Sequence, residues 1–150
     1  MTSEVVTRWY RPPELLFDAE SYGAAVDIFS LGAVFCELTR RTPCMPGSND
    51  MNQLELIAST LGTPTETNWP RVTHLSGYCI PNPDKIVPEI VVEDLWKNER
   101  FASISTVGLR LLHRMMRLDP NKRVTAERAL DSMWFREEPL PTKPVDLPRI

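Results

Sequence analysis

The side chains able to do chemistry are few and unevenly placed. Cys36, Cys44 and Cys79, with His74 and His113, are all the thiol and imidazole groups available, and none forms a CxxC or CxxH pair. An odd cysteine count at wide spacing argues against a disulfide framework, and no set here has zinc-ligand spacing. The thiols read as free cysteines of a reducing compartment, buried or half-buried. The two histidines read as solvated loop and helix-face residues, so no metal ligand and no catalytic residue is assigned. A denser group lies near the start, where Thr7, Arg8, Tyr10, Arg11 and Glu14 flank Trp9 and Pro12-Pro13. A second group, Asp119-Pro120 with Arg123, lies near the end. By spacing alone, Glu14 and Arg123 are two unrelated surface charges.

These groups need elements to hold them. Val26–Leu38 is apolar on almost every side and low in β-branched residues, which predicts a helix in the middle of the core. Asp27 suits its positive end, Arg40-Arg41 its negative end, and Pro43 forbids continuation. Asp50 with Gln53 fits a capping box. Leu54, Ile57, Ala58 and Leu61 then repeat at helical spacing until Gly62 and Pro64 stop them. Residues 63–103 carry five prolines and no sustained period, which predicts turns and short helical pieces, one at Val92–Lys97; so long a loop is usually functional or an insertion. Val107, Leu111, Met115 and Leu118 mark an amphipathic helix capped by Ser105 and ended by Asp119-Pro120. Thr125 caps a short helix whose Ala126, Ala129, Leu130 and Met133 share a face. Trp69, Trp96 and Trp134 read as packing anchors.

From Glu137 the chain is rich in proline, predicting an extended polyproline-like strap or a mobile tail, with Pro141 and Pro144 a weak SH3-ligand pattern. No strand of credible length appears. The residues alone give a mainly α, loop-rich single unit. The 150-residue chain carries 17 Lys+Arg against 20 Asp+Glu, net −3, which argues against binding nucleic acid through a basic surface. No apolar run approaches the roughly 20 residues that span a bilayer, and the N-terminus has no apolar signal core. These features predict no nucleic-acid or membrane partner and a cytoplasmic or nuclear location.

Four blocks in order narrow this reading. Glu4-Val5-Val6-Thr7-Arg8-Trp9-Tyr10-Arg11-Pro12-Pro13-Glu14-Leu15-Leu16 resembles the end of the activation segment of a cyclin-dependent-type (CMGC group) Ser/Thr protein kinase. Asp27-Ile28-Phe29-Ser30-Leu31-Gly32 resembles the family's central-helix motif, with Phe where Trp is usual. Leu61-Gly62-Thr63-Pro64 and Asp119-Pro120, followed by Arg123-Val124-Thr125-Ala126, complete the set. Arg8-Trp9, Pro46-Gly47-Ser48-Asn49-Asp50 and the tail are most similar to the cell-cycle-related and CDK-activating kinases. The resemblance implies the C-terminal helical lobe of the protein-kinase-like fold over residues 1–136, with the loop-rich insert at about 63–103, a Pro-rich tail at 137–150, and the N-terminal β-rich lobe absent.

The resemblance also implies roles. Val5 and Val6 would form the turn that receives the substrate residue after the phosphorylated Ser or Thr, with Arg11 hydrogen-bonding that region. Proline suits such a turn because it has no N–H to leave unpaired. Thr7 would help orient the catalytic aspartate and substrate loop. Glu14 would pair with Arg123, and Asp27 would accept hydrogen bonds from the catalytic-loop backbone. Thr2 falls at the activating phosphothreonine position, though the arginines that would receive its phosphate lie upstream.

Kinase handling of ATP needs a Gly-rich loop, a strand lysine, a catalytic-loop Asp and a metal-binding Asp. The six glycines sit singly at 23, 32, 47, 62, 77 and 108, and neither HRDxxxxN nor DFG occurs. The expectation is therefore a fragment that binds no cofactor and is inactive alone. Its parent would use ATP and Mg, answer to a cyclin or cyclin-like activator, and act on Ser/Thr-Pro sites in proteins. The alternative is a non-catalytic half-kinase interaction module. Removal of the catalytic loop would bare the central helix around Ile28, Leu31, Val34 and Phe35, predicting poor solubility.

Overall fold

The computed structural model describes residues 8–91, 94, 104–140 and 142–148. Among these residues the ordered elements are helices and no strand occurs. They are α1 (Pro13–Leu16), α2 (Ala25–Arg40), α3 (Asp50–Leu61), α4 (Thr106–Met115) and α5 (Ala126–Leu130). Single 3₁₀ turns lie at Val72–His74, Pro120–Lys122, Met133–Arg136 and Pro144–Asp146. α2 packs on α4 and on the Pro120–Lys122 turn, α1 packs on α3, and α4 packs on the Met133–Arg136 turn.

α2 is the axis of this arrangement. It buries Ile28, Phe29, Gly32, Ala33, Phe35 and Cys36. A Cβ at position 32 would lie 2.6 Å from Met116 Cγ and 3.3 Å from Met115 Cβ, so glycine is what lets α2 and the end of α4 approach. Phe35 stacks at 4.6 Å on Trp134, which fixes the C-terminal turn against the same helix. The expectation of an apolar helix covered all round is corrected on one side. Leu31, Val34 and Leu38 are 54%, 37% and 74% exposed, a stripe at spacings of three and four. Ile28 and Phe35, expected in that bared patch, are buried by α2's own neighbours.

α3 begins one residue earlier in its capping than the sequence suggests. Asn49 is the cap, accepting from the Asn52 amide at 2.9 Å, while the Asn52 side chain accepts from the Ser48 amide at 3.1 Å. Asp50 is therefore the first helical residue, and Gln53 reaches back to the Gly47 amide instead of closing a box with Asp50. Leu54, Ile57, Ala58 and Leu61 are buried as their period requires. Gly62, at φ 106°, turns the chain so that Thr63 N donates to Val87 O and Ile90 N to Leu61 O.

The proline-rich stretch that follows is organised by side chains rather than by regular elements. Asn68 accepts from the Thr65 amide, donates to the Thr63 carbonyl, and through its own carbonyl receives Lys122 Nζ at 3.1 Å. Glu66 accepts from the amides of Arg71 and Thr73 and from the Thr73 hydroxyl. Trp69 is buried against Phe17, whose ring also meets Tyr78 edge-on at 5.4 Å. The helix expected at Val92–Lys97 lies outside the described residues except for Asp94, and so does Trp96.

α4 is capped by Ser105, which accepts from the Gly108 amide at 3.1 Å. It ends at Met115, before the Asp119-Pro120 expected to stop it, and Leu118 is buried in the chain beyond. The α5 face is corrected too: Ala129 packs on the core while Leu130 and Met133 are exposed. Within the proline-rich tail a 3₁₀ turn spans Pro144–Asp146, with Val145 and Leu147 exposed. Cys36 and Cys44 are buried and Cys79 is half-buried, none of them in a disulfide.

Candidate substrate-docking site

The segment Arg8–Glu14 is held at almost every residue. Arg8 Nε donates to Asp50 Oδ1 at 2.5 Å, tying it to the first turn of α3. Trp9 Nε1 donates to the Gly47 carbonyl at 3.0 Å. The Tyr10 hydroxyl donates to Glu37 Oε2 at 2.5 Å, near the far end of α2, and the Tyr10 carbonyl accepts from Ser30 Oγ at 2.8 Å. That bond to the Glu37 carboxylate, aided by burial and by the carboxylate's charge, raises the Tyr10 phenol above its ordinary value of 10.

Glu14 and Arg123 are brought together in the core. The guanidinium donates to both carboxylate oxygens, at 2.5 and 2.7 Å. Its other N–H groups reach the carbonyls of Arg117, Ala25 and Leu118 at 2.8, 2.9 and 3.2 Å, and its plane lies over Phe29, 4.9 Å from the ring centre. All five guanidinium donors are thus used, which is the condition under which a buried ion pair is tolerated. The local sequence arranges this: Asp119 accepts from the Asn121 amide at 2.9 Å and caps the Pro120–Lys122 turn that delivers Arg123.

Arg11 and Asp27 line an open depression of about 300 Å³ with Tyr10, Pro12, Leu15, Val26 and Ser30. Neither charged side chain has a hydrogen-bond or ion-pair partner among the described residues. Asp27 is exposed in the first turn of α2. Thr2, Val5, Val6 and Thr7 lie outside the described residues. Arg8–Asp50, Trp9–Gly47 and Tyr10–Glu37 went unread in the sequence. The signal for the first two was present, since both Arg8-Trp9 and the Pro46–Asp50 run stand out as motifs, yet nothing in a linear chain shows that they meet.

This helical platform, with an activation-segment-like stretch pinned across it, is that of a kinase lobe. The protein kinase domain model matches residues 1–135, and the chain belongs to the protein kinase family. Within it the chain is similar to the cyclin-dependent kinases, those of the CDK-activating kind among them. It is 44% identical over 144 residues to the serine/threonine-protein kinase KIN28 of Saccharomyces cerevisiae, covering 96% of this chain and 45% of that one. It is 42% identical over 147 residues to cyclin-dependent kinase 7 of Dictyostelium discoideum, covering 97% and 38%. Its fold is similar to a chain in the CAK complex of Chaetomium thermophilum bound to ATP-gamma-S, with a TM-score of 0.86 and 46% identity, covering 93% of this chain and 42% of that one. The chain thus spans less than half the length of these relatives.

Proposed function

We propose that the chain is the substrate-docking half of a Ser/Thr kinase that phosphorylates Ser or Thr followed by Pro, under a cyclin or cyclin-like activator. The observation that carries this reading is the pinned segment Arg8–Glu14. It directly follows, in the chain, the stretch Val5–Thr7 that the resemblance assigns to the acceptor. The Arg11 guanidinium, which has no partner among the described residues, supports it, since a docking turn that rewards proline needs a donor facing it. Kinship to kinases of the CDK-activating type supports the activator and the protein substrate.

ATP would supply the phosphoryl group, with Mg neutralising the charge on its phosphates. The described residues do not fit them: no group of three or more His, Cys, Asp or Glu could hold a metal ion, and no run of glycines could cradle phosphates. In this reading both belong to the lobe and catalytic loop that the longer relatives carry, and the chain alone transfers nothing. The test joins the chain to its upstream half and compares a Ser-Pro with a Ser-Ala peptide under Mg-ATP. Transfer favouring Ser-Pro is expected, and none without the upstream half. Absent or indifferent transfer by the complete, activator-bound protein would overturn the reading.

The open stripe of Leu31, Val34 and Leu38 favours a second reading, a half-kinase that binds a partner without catalysis. The mass of the endogenous product, detected by an antibody to Glu137–Ile150, separates the two: a band near 17 kDa with nothing larger supports the second.

A further inference from the structure

Thr-Pro occurs twice in the chain, at Thr42-Pro43 and Thr63-Pro64, and Ser-Pro does not occur. The fold treats the two pairs differently. Thr63 is 2% exposed; its hydroxyl accepts from the Val87 amide at 2.9 Å while its own amide donates to the Val87 carbonyl. Its carbonyl accepts from Asn68 Nδ2 at 2.8 Å, so the hydroxyl reaches an enzyme only if the turn after α3 comes apart. Thr42 is exposed, lies outside any helix, and its hydroxyl has no hydrogen-bond partner among the described residues. Arg41, at φ 59°, turns the chain off the end of α2. Pro43 is half-buried, and full burial resumes only at Cys44 and Met45. The hydroxyl and the proline after it therefore stand before the point where the loop enters the core.

We propose that Thr42 is a phosphorylation site for a proline-directed Ser/Thr kinase, presented as an exposed Thr-Pro pair, and that the fold withholds Thr63. The chain is here the substrate, so the inference stands apart from the docking reading above. In the transfer, Thr42 Oγ1 bonds to the γ-phosphorus of ATP as the bond from that phosphorus to the β,γ-bridging oxygen breaks. ADP leaves, and the hydroxyl proton passes to the catalytic Asp of the modifying kinase. The product carries a charge of about −1.5 to −2 at pH 7, which is unfavourable just beyond the C-terminal end of a helix. Arg40 and Arg41 directly precede Thr42, and neither side chain has a partner among the described residues. Two guanidinium charges within two residues offset that of the phosphate. The nearest carboxylate along the chain, Glu37, is engaged by the Tyr10 hydroxyl.

The experiment incubates the complete protein, bound to its activator, with Mg-ATP and a second, purified proline-directed kinase, and maps phosphorylated residues by mass spectrometry. Synthetic peptides spanning Glu37–Gly47 and Ala58–Asn68 are run beside it. Both peptides should take phosphate, at Thr42 and at Thr63, because each presents Thr-Pro without the fold. In the folded protein Thr42 should be modified about tenfold or more faster than Thr63, whose exposure needs local unfolding. Pro43→Ala should slow modification of Thr42 by about tenfold in protein and peptide alike, since it puts back an N–H that such a kinase leaves unpaired. Thr42→Val should remove the site without opening Thr63. An unmodified Thr42 in the folded protein, equal modification of Thr63, or a Pro43→Ala variant modified as fast as the unsubstituted protein would each overturn the proposal. So would a Glu37–Gly47 peptide that takes no phosphate.

Discussion

Glu14 and Arg123, 109 residues apart in the chain, meet in a two-pronged ion pair whose side chains are only 4% and 0% exposed. One partner starts α1 and the other ends the turn after α4, so the pair ties the two ends of the platform across α2. The pair is an all-or-none device, since either charge left alone is buried and uncompensated.

Glu14→Ala in the complete protein should therefore cost about 3–5 kcal/mol of stability. Arg123→Met should cost a similar amount, leaving a buried carboxylate in place of a buried guanidinium. Thermal or urea unfolding checks both, and a loss under about 1 kcal/mol in either would show that the pair is replaceable.

Gly32→Ala puts a methyl 2.6 Å from Met116 Cγ and 3.3 Å from Met115 Cβ. The Met116 side chain can swing aside in part but the α4 backbone cannot, so a loss of about 1–3 kcal/mol is expected. Met116→Ala in the Gly32→Ala background should recover part of it. A neutral Gly32→Ala would mean that the two helices have slack at this contact.

Glu66 gives the chain an acid-sensitive turn. Its carboxylate, held by the Thr73 hydroxyl and the amides of Arg71 and Thr73, has its pKa lowered from 4.5 to about 2. A folded pKa below the unfolded one means stability fully present above about pH 4.5 and lost as the pH falls through 2. Amide exchange at Arg71 and Thr73 should accelerate across that window beyond its intrinsic pH dependence, and Glu66→Gln should abolish the extra change.

The stripe on α2 predicts how the isolated chain behaves. Leu31, Val34 and Leu38 present adjoining apolar side chains to water, and such patches drive association. Leu31→Lys with Leu38→Glu should lower both the binding of a hydrophobic dye and the light scattering of the chain by about half or more. Unchanged scattering in that double variant would place the association surface elsewhere.

Local chemistry made much of the fold readable. The period of Leu54, Ile57, Ala58 and Leu61, the stop at Gly62, and the caps at Ser105 and Thr125 are all settled by residues within a turn or two, so the chain declares them. Motifs also carried the Glu14–Arg123 pairing, which spacing alone did not. At the cap of α3 Asn49 and Asp50 are both able caps; Asn49 takes the Asn52 amide, while Asp50 receives Arg8.

What the sequence by itself determined is the helices α2 to α5, the buried stripe of α3 and the residues that could dock or pair. Those depend on backbone propensity and on contacts a few residues apart. Which side of α2 stays open, which turn receives Arg8 and Trp9, and how all five donors of Arg123 find partners belong to the tertiary structure. The contacts of Arg8 and Trp9 and the Glu14–Arg123 pair join residues from 38 to 109 positions apart, and the cost of closing such loops is repaid only when the whole platform is assembled.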